Sequence, residues 1–170
     1  MAGRPPADVI EVLEFGRMMI AKVVDEQGRT RHYLTAIDID FNRTLLSEAI
    51  VGELTGDEDR LDPDHFTPNL AFLKFLHWVL ARHGASSPGF IAEAARQKDG
   101  YVYIIDNRTS TPDGSVPPED IIGAFEIADG KPLRYIGSPQ YAPLTGQGPP
   151  QLGPWLQARL VDELNVLSGH

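Results

Sequence analysis

Residues 99–130, DGYVYIIDNRTSTPDGSVPPEDIIGAFEIADG, decide the fold. Two apolar runs, 101–105 and 121–127, flank a polar insert stiffened by Pro112, Pro117 and Pro118. The runs are rich in β-branched and aromatic residues, which suit a pleated, packed surface. They read as strands that hold out a rigid, acidic loop. Asp129-Gly130 then supplies a tight hairpin turn, with 133–136 as the returning strand.

Working outward, Val9–Phe15 and Met18–Val24 read as strands on either side of Gly16-Arg17. A turn follows at 25–29, where Gly28 can take a positive φ, and 31–39 is expected to return as a strand. Residues 44–54 carry Leu46, Ala49, Ile50 and Leu54 at helical spacing, so a short helix capped by Asn42 or Thr44 is expected there. Thr67-Pro68 and Ser87-Pro88 each pair a capping residue with proline, the signal of a helix start. The first of these helices runs to His83, with Leu70, Leu73, Leu76 and Leu80 in one stripe. The second is expected to turn Phe90, Ile91, Ala94 and Ala95 inward. Residues 137–154 contain four glycines and five prolines, which excludes helix and central strand. Pro154 opens a last helix bearing Leu156, Leu160, Leu164 and Leu167.

Strands cluster at the start and in the second half, with helices between. This predicts an α+β fold with a mainly antiparallel sheet of about 4–6 strands packed by about 3–4 helices. The 170 residues are expected to form a single domain, 1–170, with 1–8 a short flexible lead.

With 24 acidic and 15 basic residues the net charge is −9, which disfavours contact with a phosphate backbone. Nucleic acid is therefore not an expected partner. The chain has no cysteine, so disulfides, zinc thiolates, iron–sulfur clusters and thiol nucleophiles are excluded. No apolar run is long enough for a membrane helix, and the N-terminus does not read as a secretory leader, so a cytoplasmic protein without membrane contact is expected.

Several sites can be tested on spacing alone. Asp38, Asp40 and Asn42 begin like a calcium loop, but Arg43 stands where glycine is needed and Ala49 where the closing glutamate should be. Asp38 and Asp40, with His65 from the acidic stretch 56–65, are weak metal candidates; no metal or other cofactor is expected. His77 and His83 lie six residues apart on one helix and point away from each other. No serine-hydrolase elbow, Walker sequence or H-E-x-x-H is present, and Gly146-Gln147-Gly148 runs into two prolines where a dinucleotide loop would start a helix.

The loop 107–120 is the best site by elimination. Arg108, Asp113, Glu119 and Asp120 are its candidate partner-binding residues, with the three carboxylates expected to be exposed. The leading expectation is a non-enzymatic domain that binds another protein through rigid acidic loops, with a basic surface as the natural complement. An enzyme with a pocket formed by Asp38, Asp40, His65 and Asp106 is the alternative; a subunit of a larger assembly is a third. In style and composition the buried helices, acidic loop and Asp-Gly hairpin resemble small bacterial α+β domains, including immunity and adaptor proteins. That resemblance carries no functional residue across.

Overall fold

The computed structural model describes residues 9–15, 18–36, 46–56, 61–109, 114–167 and 169. These fall into two compact units, the first drawn from 1–75, 143–149 and 161–170, the second from 76–142 and 150–160.

The first unit is built on a five-stranded antiparallel sheet in simple sequence order: β1 (Val9–Phe15), β2 (Met18–Val24), β3 (Thr30–Thr35), β4 (Ile50–Leu54) and β5 (Phe66–Pro68). The β2–β3 turn is held by Asp25, whose carboxylate accepts from the backbone N–H of Gln27 at 3.0 Å and of Arg29 at 2.9 Å. Gly28 takes the expected left-handed φ, +79°. Arg31 then bridges the carboxylates of Asp25 at 2.9 Å and Glu53 at 3.0 Å, tying β3 to β4. Met18, Ile20, Val23, Leu34 and Val51 are the largest of the fully buried side chains of these strands.

The expected helix over 44–54 is not what forms. Its proposed caps, Asn42 and Thr44, lie outside the described residues, and the rest divides into a single 3-10 turn, Ser47–Ala49, and strand β4. The apolar spacing that suggested a helix also fits a strand buried on both faces, and Ile50-Val51 is β-branched. Pairing with β3 on one side and β5 on the other decides between them. Gly52 makes the second pairing possible, because a Cβ there would collide with the Phe66 ring and the Thr67 carbonyl. For the same reason Thr67-Pro68 is not a helix start. Both residues sit in β5, and Asn69 caps helix α1 (Leu70–His83), accepting from Ala71 N–H at 3.3 Å.

The second unit carries a three-stranded antiparallel sheet, β6 (Gly100–Ile105), β7 (Ile121–Ala128) and β8 (Lys131–Gly137). Asp129 (φ +54°) and Gly130 (φ +75°) make the tight β7–β8 turn that the sequence predicts. Helix α2 (Pro88–Gln97) begins on Ser87, whose hydroxyl accepts from Phe90 N–H at 3.2 Å. Phe90 packs edge-on against Phe125 of β7 at 5.1 Å, while Ile91 and Ala95, expected inward, are exposed. The buried stripe of α2 is therefore Phe90 and Ala94 alone. On α1, Phe72, Phe75, Leu76, Val79 and Leu80 are buried, Leu73 is half-buried and Leu70 faces solvent. Helix α3 (Pro154–Leu167) buries Leu160 and Leu164.

The class is thus α+β, and among the described residues there are three α-helices and antiparallel strands shared between two sheets. Among the described residues no helix is long and apolar enough to cross a membrane.

Candidate functional site

Facing glycines in β7 and β8 shape one side of the three-stranded sheet. Gly123 pairs with Gly137 in the ladder. A Cβ at Gly123 would collide with the Tyr135 ring, and one at Gly137 would meet the His77 imidazole at 3.0 Å. The dent they leave admits a His77–Tyr135 pair, with Nδ1 and the phenol oxygen 2.8 Å apart. Burial pushes the His77 pKa down and the Tyr135 pKa up, so both are neutral near pH 7.

Below the strand ends lies a buried polar knot. Arg108 Nε donates to Asp120 Oδ1 at 2.8 Å, and its terminal nitrogen donates to the carbonyls of Glu119 and Ala142. Thr109 donates its hydroxyl to Asp120. Asp106 accepts from the Tyr141 hydroxyl at 2.8 Å, from Gln151 N–H at 2.9 Å and from Arg108 N–H at 3.2 Å. Tyr141 also lies against the guanidinium, 5.4 Å from ring centre to Cζ. Its pKa is held well above the usual value by burial and by the Asp106 charge, so it stays protonated and donates. The result ties 106–109 to Glu119 and Asp120 and to Tyr141, Ala142 and Gln151, and among the described residues no buried side-chain polar atom lacks a partner.

This corrects the expectation for the loop 107–120. Asp120 is 1% exposed and Arg108 7%, so neither stands at the surface as a partner contact. A carboxylate beside a matching guanidinium could be expected to pair, but sequence spacing gave no sign that both would be enclosed. Glu119 is exposed as expected, and Asp113 lies outside the described residues.

The metal candidates do not assemble on the described residues. Asp38 and Asp40 lie outside them, and His65 is an exposed residue whose Nδ1 sits 2.8 Å from Asp62. Asp106, the further member of the alternative pocket, is fully engaged in the knot. Among the described residues no group of three or more histidines and carboxylates is placed to hold a metal ion. A groove of about 310 Å³ in the first unit, between Tyr33, Ser47, Glu53 and Asn69, has the Asn69 amide and the Glu53 carboxylate taken up internally. The Asn69 amide donates to the carbonyls of Ser47 and Ile50, and Glu53 pairs with Arg31.

What sequence reasoning missed is the outer face of the three-stranded sheet. Tyr101, Glu126 and Arg134 form one cross-strand row; Tyr103, Ala124 and Ile136 form the next. Tyr103 is 60% exposed, Tyr101 43% and Ile136 39%, and the Glu126–Arg134 ion pair at 2.8 Å lies beside them. The signal was present as alternation in 101–105, which puts Tyr101 and Tyr103 on one face and Val102 and Ile104 on the other. Nothing local says which face is covered. Comparison with protein-family models, with curated proteins and with solved structures finds no match for this chain.

Proposed function

We propose that this chain is a non-enzymatic recognition domain that works by binding another protein, in the manner of an adaptor, an inhibitor or a chaperone. The observation that carries the reading is the outer face of the three-stranded sheet, where Tyr101, Tyr103 and Ile136 are exposed together. Antiparallel sheets that face water on one side ordinarily turn polar residues to it. Tyrosines are suited to contact instead, since each offers a large amphipathic surface with few torsions to freeze. The knot around Arg108 supports the same reading. Its charged groups are consumed in holding loops still, and rigid loops lose less entropy when a partner docks. The exposed carboxylate of Glu119 and the net charge of −9 favour a partner with a basic surface.

Photo-crosslinking tests this. A benzophenone amino acid is placed at 103 or 136, and at Lys74, an exposed control position on α1. The expected result is one discrete adduct from 103 and 136 in the native host and none from 74. The captured protein, once purified, should bind the wild-type chain and lose about tenfold or more in affinity for Tyr101→Ser/Tyr103→Ser, as central aromatic contacts do. Adducts at the face no more specific than those at Lys74 would overturn the reading.

A further inference from the structure

The outer edge of β6 is closed at both ends and open in the middle. Along an edge strand, alternate residues turn N–H and C=O toward the neighbouring strand, and the residues between turn them away. Asp106 N–H donates to Asp120 O at 2.7 Å, on the β7 side. Val102 and Ile104 share that side, so Tyr101, Tyr103, Ile105 and Asn107 direct their main-chain groups outward. Two bonds agree with this phase. The Gln97 side-chain amide donates to Tyr101 O at 2.8 Å, and Asn107 N–H donates to Gln151 O at 2.9 Å. Between these two plugs stand the N–H and C=O groups of Tyr103 and Ile105, for which no bond outside the ladder exists among the described residues.

They open onto a groove of about 240 Å³ lined also by Ser87, which caps α2, by Phe90 and Glu93 within α2, and by Gly153 and Leu156 around the start of α3. Unpaired main-chain groups beside an apolar trough match one kind of ligand, another extended main chain. We propose that this groove receives an extended segment of a partner protein as an added strand on β6. The segment is apolar where it meets Phe90 and Leu156, and the net charge of −9 favours basic residues at its flank, while Glu93 at the groove wall is paired with Arg96. At about 3.3 Å per residue the open stretch pairs with about three residues of the guest. The inference rests on the protein-recognition reading above and adds to the ring contacts of the tyrosine face a second, main-chain contact that a short extended peptide can make alone.

The probe is a random heptapeptide phage library selected on the full chain, with the best peptide synthesised and its affinity measured. Tyr103→Pro removes the outward N–H without removing a β6–β7 bond, since proline is tolerated where an edge strand's N–H faces away from the sheet. Tyr103→Ala removes the ring and keeps the N–H. The expected result is a loss of about tenfold or more for Tyr103→Pro, the worth of a main-chain hydrogen bond and the pairing around it, with Tyr103→Ala within about threefold of wild type. N-methylation of the peptide at every second residue should abolish binding in one phase and spare it in the other. Gly89→Leu fills the groove from α2, where an added Cβ meets nothing within 4 Å, and should also abolish binding. This variant decides the matter if Tyr103→Pro does not fold.

Wild-type affinity in Tyr103→Pro or in Gly89→Leu overturns the proposal, as does a library that yields no binder. Equal losses in Tyr103→Pro and Tyr103→Ala overturn strand addition but leave the tyrosine face as the recognition surface. A chain that dimerises in sedimentation, and stops doing so as Tyr103→Pro, overturns it in favour of a second copy on the same edge. Failure of the crosslinking test is a separate result and strikes the recognition reading itself.

Discussion

Arg108 is the only cation in the sequence of the loop 107–120, and in the fold it is enclosed with Asp120. Breaking such a pair from one side leaves the buried guanidinium with only the Asp106 carboxylate, 3.7 Å away, and two carbonyls to face. Asp120→Asn should cost about 3–5 kcal/mol, read as a lowered urea midpoint at unchanged slope. Exchanging both partners for apolar residues, as Arg108→Met/Asp120→Leu, should recover part of that loss. If the single change proves as mild as a surface substitution, the knot does not hold the loop. His77 makes a second residue-scale test. Burial holds its folded pKa below the ordinary 6.5, so the unfolded chain takes up the proton first as pH falls. Its contribution is therefore present above that value and lost as pH drops below it. Between about pH 7 and pH 5 the melting temperature should fall less steeply in His77→Gln than in wild type.

At the scale of elements, legibility followed how local the deciding interaction was. β2 could be read to the residue and β7 to within one, because apolar runs bounded by Asp25 to Gly28 or by Asp129-Gly130 leave no competing period. Ser87 and Pro88 marked the start of α2 for the same reason, a cap that acts within one turn. The segment 44–54 failed because Leu46, Ala49, Ile50 and Leu54 fit both periods, and the winner was set by strands distant in sequence. Thr67-Pro68 failed by proximity. The pair sits one residue short of Asn69, and its backbone was already committed to β4. Of the candidate site, the acidic loop was visible but its enclosed base was not, since Tyr141 and Gln151 reach Asp106 from a stretch that carries no pattern. Two element-scale outcomes follow from close packing. Gly123→Ala should cost about 1–3 kcal/mol by pushing Tyr135 off β7, measurable by urea unfolding. Leu76→Ala, at a fully buried position of α1, should cost about 2–5 kcal/mol through lost burial and a residual cavity.

Over the whole molecule, if the chain binds a basic partner as proposed, the excess of acid should set how that partner arrives rather than how tightly it is held. Association with a basic protein should slow as salt shortens the Debye length toward about 8 Å at 0.15 M. Glu119→Gln should reduce that salt dependence measurably in stopped-flow mixing, because Glu119 is the described carboxylate of the loop that meets solvent. The order in which the units are completed is set by the chain itself. The first unit takes residues from 161–170, while the second is finished at 160. A ribosome therefore releases β1 to β5 early but withholds Leu164, a side chain with no solvent exposure in the finished fold, until the second unit's residues have all been made. During that interval the five-stranded sheet is a nascent structure lacking part of its own core. Slowing translation across 76–160 with synonymous codons should lengthen that interval and lower the yield of folded chain, measured as the fraction recovered in the supernatant.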